Sequence, residues 1–138
     1  VEVGKCHTAI YFKANRDRGG FIRNVYVNNI VCDTVLTAFI RFENNYHGYR
    51  GGNSPTVFGN FLISNVTGGC SLECGFYSVG IPGYEISDVR LENIDLKEVQ
   101  IPYVLKNNAG LVFDNVRIGG QLMPQYPDET DMMRLRSN

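Results

Sequence analysis

A nine-residue pattern recurs along this chain: apolar, any, Asn or Asp, apolar, any, apolar, any, Asn, apolar. It reads I-R-N-V-Y-V-N-N-I at residues 22–30, F-G-N-F-L-I-S-N-V at 58–66 and I-S-D-V-R-L-E-N-I at 86–94. A degraded copy, F-D-N-V-R-I-G-G, begins at Phe113, so the copies start 36, 28 and 27 residues apart. Self-similarity at that period is the mark of architectures in which each unit buries its apolar face only against its neighbours.

Between the copies lies a second family of short alternating segments: I-Y-F-K-A-N (10–15), F-I-R-F-E-N-N (39–45), Y-V-L-K-N-N (103–108) and a weaker member at 75–81. Each unit of about thirty residues therefore holds two period-2 strands separated by Asn- and Gly-rich turns. Almost nothing has helical period. Asparagines at one offset (Asn29, Asn65, Asn93) are expected to stack at a tight turn inside the fold, their amides bonding along the stack. An antiparallel sandwich also uses short alternating strands but leaves that fixed offset unexplained. The expected fold is all-β: a right-handed parallel β-helix, a partial solenoid of about four coils over residues 1–120. Residues 121–138 form a C-terminal cap or a loose tail.

The chain has 138 residues, enough for one domain, and its 13 basic and 14 acidic side chains leave a net charge of −1. That balance argues against nucleic acid as a partner, and no apolar run reaches the roughly 18 residues of a membrane span. The opening V-E-V-G-K-C reads like the middle of a strand region, as in a mature product or a fragment of something longer. A solenoid cut there exposes unpaired backbone, so self-association through this first coil is expected. Four cysteines (Cys6, Cys32, Cys70, Cys74) allow three pairings of two bridges, and the default reading is buried free thiols. Their spacing supports no metal site, and no cofactor is expected. The sequon Asn65-Val66-Thr67 is discounted because its asparagine belongs to the expected ladder.

Residues 9–20, A-I-Y-F-K-A-N-R-D-R-G-G, place Lys13 at the end of an apolar run and close in a charged turn. A cation at a strand-to-turn junction is well placed to meet an anionic ligand. The longest interval between copies contains H-G-Y-R-G-G-N-S-P (47–55), a projecting loop in which Tyr49 and Arg50 can grip a sugar acid and His47 can reach substrate. The two R-G-G triplets read as turns inside a patterned, neutral domain, not as RNA-binding boxes.

These segments resemble the polygalacturonase-like glycoside hydrolases, pectin-cleaving enzymes built on a right-handed parallel β-helix. That family carries an R-I-K strand, a glycine-rich turn and an N-I-x-F-x-N-I coil, where this chain reads Y-F-K-A-N-R-D-R-G-G-F-I-R-N-V-Y-V-N-N-I. Its Q-N-Y-G strand end corresponds to F-E-N-N-Y-H-G, and its P-T and I-x-N-V-T-G segment to P-T-V-F-G-N-F-L-I-S-N-V-T-G from Pro55. The resemblance implies that Lys13 binds the substrate carboxylate and Tyr46 stands beside the scissile sugar; Arg18 of the charged turn and Arg50 and His47 of the loop complete the candidate substrate-binding residues. Tyr11 occupies the place of the family's arginine. A hydroxyl and a ring replace a bidentate fork there, which points away from plain galacturonan and toward rhamnogalacturonan.

The family's catalytic aspartates, in N-T-D and D-D motifs, and its G-H-G histidine have no counterpart in this sequence. Asp17, Asp33 and Glu43 fall at no catalytic position of the family and read as solvated charges. The resemblance thus implies the C-terminal, substrate-binding part of an inverting glycoside hydrolase on pectic polysaccharide, secreted or periplasmic, with no catalytic residue of its own and inactive alone. The other reading is a non-catalytic carbohydrate-binding or assembly module.

Overall fold

Left-handed backbone at non-glycine residues sets the shape of this chain. The computed structural model describes residues 2–15, 20–46 and 56–130, and at positions 2, 3, 15, 45 and 46 the backbone alone. Eight non-glycine residues there have φ between 54° and 62°: Asn24, Asn29, Asn60, Asn65, Asp88, Asn93, Asn107 and Asn115. Asn and Asp tolerate this region because their short polar side chains can hydrogen-bond locally. Most of these residues lie inside strands, which they bend without ending.

The strands are β1 (Glu2–Asn15), β2 (Phe21–Tyr46), β3 (Val57–Ser71), β4 (Cys74–Val79), β5 (Ile86–Glu98), β6 (Ile101–Lys106), β7 (Asn108–Ala109), β8 (Val112–Ile118) and β9 (Gln121–Leu122). They join one nine-stranded sheet in the order β6-β4-β2-β3-β5-β8-β9, with β1 also on β2 and β7 on β5. Every pairing is parallel except β8 with β9. This corrects the expectation of a right-handed parallel β-helix of about four coils. The described strands bond edge to edge into a single mixed, mostly parallel sheet that curls into a half-barrel, not a solenoid of stacked coils. The physical reason shows in β2, where a member of each strand family belongs to one element. β2 runs 26 residues without a break, through the repeat copy at 22–30 and the segment at 39–45, because a left-handed asparagine turns the chain yet leaves its neighbours in the ladder.

The asparagines do bond to one another across strands. Nδ2 of Asn60 donates to Oδ1 of Asn24 (2.6 Å), Asn65 to Asn28 (2.8 Å), Asn93 to Asn65 (3.3 Å) and Asn115 to Asn93 (3.0 Å). These rows lie on the exposed surface, not inside the fold, and Asn65 reaches Asn28 where Asn29 was expected.

The concave side is aromatic. Phe42 stacks on Phe12 at 5.1 Å between ring centroids and meets Phe61 edge-on at 4.8 Å, while Phe76 packs on Phe113 at 5.7 Å. Leu, Ile and Val from every copy of the repeat complete this core. All four cysteines are free thiols, with Cys32 and Cys74 buried and Cys6 and Cys70 partly so. At β6 and β8 the sheet margin is covered by the chain's own later residues. Thr130 N–H donates to Leu105 O (2.9 Å), Thr130 Oγ1 accepts from Leu105 N–H (2.9 Å), Glu129 Oε1 accepts from Asn107 N–H (2.7 Å) and Gln125 O accepts from Phe113 N–H (2.8 Å).

Candidate functional site

Alternation along β1 turns Ile10 and Phe12 into the core and Tyr11 and Lys13 outward. Parallel pairing then fixes what lies beside them. Tyr11 is in register with Arg41 on β2, Tyr77 on β4 and Val104 on β6, while Lys13 is in register with Glu43, Val79 and Lys106. Two rows of side chains thus cross four strands on the convex face.

The centre of the first row is Arg41. Its guanidinium carbon lies 4.2 Å from the Tyr77 ring centroid and 5.3 Å from that of Tyr11, on opposite neighbouring strands. Nη2 donates to Glu43 Oε2 (3.3 Å), and the Tyr11 hydroxyl donates to the same oxygen (2.9 Å). Both charged side chains are largely covered, 20 % exposed for Arg41 and 15 % for Glu43, and the Arg41 Nε is buried without a hydrogen-bond partner. Burial works against the Arg41 charge, but Tyr11, Glu43 and Tyr77 more than offset it and hold its pKa above the ordinary arginine value. Burial first, and then Glu43, push the Tyr77 hydroxyl above its usual range. The Lys13 ammonium sits 5.4 Å from the Tyr11 ring centroid at the exposed rim. Next to the row, Cys74 is buried with Ala38 and Val104, and burial lifts its thiol to about 11.

Of the residues singled out from sequence, Tyr11 and Lys13 fall in one cluster. The Tyr46 backbone pairs with Asn15, two residues beyond Lys13 on the same pair of strands, and its side chain lies outside what is described. Arg18, His47 and Arg50 also lie outside the described residues. Sequence reasoning missed Arg41 and Tyr77, and it read Glu43 as a solvated charge where the fold makes it a shared acceptor. The signal was present: laying I-Y-F-K over I-R-F-E places Tyr11 on Arg41 and Lys13 on Glu43. The Arg41 guanidinium therefore stands one strand from Tyr11.

Among the described residues no cluster of three or more His, Cys, Asp or Glu could hold a metal ion, and no helix is long and apolar enough to cross a membrane. Compared with protein-family models, curated proteins and solved structures, the chain matches none. The likeness to polygalacturonase-like hydrolases rests on the motifs alone.

Proposed function

We propose that this chain binds an acidic polysaccharide of the pectic type along the convex face of β1, β2, β4 and β6, as the substrate-binding part of a carbohydrate-active protein. The observation that carries this reading is the register row Tyr11–Arg41–Tyr77 with Lys13 at its rim. Two cations there can meet uronate carboxylates, and two tyrosine rings offer flat faces and hydroxyls to pyranose rings. Sandwiching between rings and the bond to Glu43 hold the guanidinium in one orientation, so little side-chain entropy is lost when a carboxylate docks.

Cleavage is not assigned to this face. Inverting hydrolysis needs two carboxyl groups roughly 6.5–9.5 Å apart, and in the two register rows Glu43 is the one carboxylate, occupied by Tyr11 and Arg41. The acid and base of a hydrolase would come from outside these two rows, from further along the protein or from another copy. A location outside the cell or in the periplasm belongs to the same proposal, since that is where such polymers are met.

Titration with oligogalacturonate and rhamnogalacturonan fragments, followed by calorimetry and amide chemical shifts, tests the reading. The expected result is salt-sensitive binding that perturbs β1, β2 and β4, falls about tenfold in Lys13→Ala, and yields no new reducing ends. Equal affinity for neutral oligosaccharides, or no shift at these strands, overturns it.

A further inference from the structure

The sequence holds one Asn-x-Thr sequon, Asn65-Val66-Thr67, and the fold puts it on the outer surface. Asn65 and Thr67 are both exposed on β3, with Val66 between them buried in the core. The asparagine stands at a left-handed bend, with φ 56°. Its amide has a defined orientation as well. Nδ2 donates to Asn28 Oδ1 on β2 (2.8 Å), while Oδ1 accepts from Asn93 Nδ2 on β5 (3.3 Å). β3 lies between those two strands, so the donated hydrogen and the carbonyl point in opposite directions. In a planar amide only the hydrogen anti to the oxygen can do that. The other hydrogen, on the oxygen's own side, takes part in neither bond.

We propose that Asn65 is an acceptor for an N-linked glycan, with the sugar taking the place of that second hydrogen. Transfer forms the bond from Nδ2 to the sugar C1 and breaks the bond from C1 to a phosphate oxygen of a polyprenyl-diphosphate oligosaccharide. Nδ2 gives up one proton, and the lipid diphosphate leaves with the electron pair. The product is a secondary amide, whose trans preference sets the sugar on the oxygen's side and keeps the hydrogen anti to it. That hydrogen is the one given to Asn28, so a glycosylated Asn65 keeps both bonds of its row. Asn93 lies 28 residues further along the chain, so the acceptor emerges during synthesis before that partner is made. Such transfer requires export, the one feature shared with the binding proposed above.

Secretion of the full chain from a eukaryotic cell behind a signal sequence tests this. The expected product carries an oligosaccharide at Asn65, seen by peptide mass and removed by peptide-N-glycosidase, while Asn65→Ala and Thr67→Ala are secreted without it. The glycoprotein is expected to melt within about 2 °C of the unglycosylated chain made in bacteria, because both bonds survive. Asn65→Ala loses both and is expected to melt lower by about 4 °C or more. Absence of the oligosaccharide, its persistence in Thr67→Ala, or a glycoprotein melting about 4 °C or more below the unglycosylated chain overturns the proposal. If the chain is retained inside the cell, the mass of its Asn65 peptide there decides whether the site is used.

Discussion

At six of the eight left-handed positions one side-chain amide does two things: it tolerates the backbone and it bonds to another strand or turn. Asn93, at φ 54°, donates to Asn65 and accepts from Asn115. Asn93→Ala keeps the strained backbone and loses both bonds, so urea unfolding is expected to show a loss of about 2–4 kcal/mol, with Asn93→Gly losing less. Asp88 is the informative exception. It stands beside Asn60, between the pairs Gly59–Ser87 and Phe61–Val89, but a carboxylate has no N–H to continue the row that Asn60 begins by donating to Asn24. Asp88→Asn is expected to raise stability by about 0.5–1 kcal/mol, measured the same way. A second residue-scale effect follows from Cys74, whose thiol burial raises from 9.0 to about 11. The folded state then holds its proton after the unfolded chain has lost it, so the contribution is complete below pH 9 and is lost as pH rises toward about 11. Denaturation across that window is expected to give a shallower fall for Cys74→Ala than for the unaltered chain.

Among the elements, β2 shows both what was legible and what was not. Its apolar and polar alternation identifies residues 22–30 and 39–45 as strand, and both are strand. What the pattern hides is their continuity, because an asparagine in a left-handed bend and one ending a strand look alike in sequence. The architecture was misread for that reason: a turn at each asparagine builds coils, whereas a bend at each builds a curled sheet. The site was half legible for a related reason. Lys13 and Tyr11 can be found within one segment, but Arg41 and Tyr77 become neighbours only through register, which pairs residues about thirty positions apart. Glycine placement on β3 had no sequence signal at all. A Cβ on Gly68 would stand 2.6 Å from the fully buried Phe39 ring, a clash that ring cannot relieve by swinging into solvent. Gly68→Ala is therefore expected to cost about 1–3 kcal/mol by overpacking and to shift the Phe39 ring resonances in NMR.

For the molecule as a whole, the question is how a mostly parallel sheet deals with its two margins. A strand edge that keeps its donors and acceptors unpaired invites association, and at β6 and β8 the chain meets that demand with side chains as well as backbone. Thr130 serves Leu105 through both its N–H and its hydroxyl, the Glu129 carboxylate takes the Asn107 amide, and the Gln125 carbonyl takes that of Phe113, while Met123 packs on the core. Ending the chain after Gly120 removes all four hydrogen bonds and that apolar contact together. At about 0.5–1.5 kcal/mol for each bond, the loss is of the order of 2–6 kcal/mol, a large fraction of the stability of a domain this size. The truncated chain is expected to unfold at markedly lower urea and to aggregate, because β6 and β8 then offer an open margin. A gentler variant separates the two effects. Glu129→Gln with Thr130→Val weakens the side-chain caps but leaves the backbone bonds from Thr130 and Gln125 in place, so it is expected to lower stability by about 1–2 kcal/mol without aggregation. Light scattering alongside urea unfolding distinguishes them: aggregation confined to the truncated chain means that the segment covers an edge, whereas equal behaviour of both variants means that it acts through stability alone.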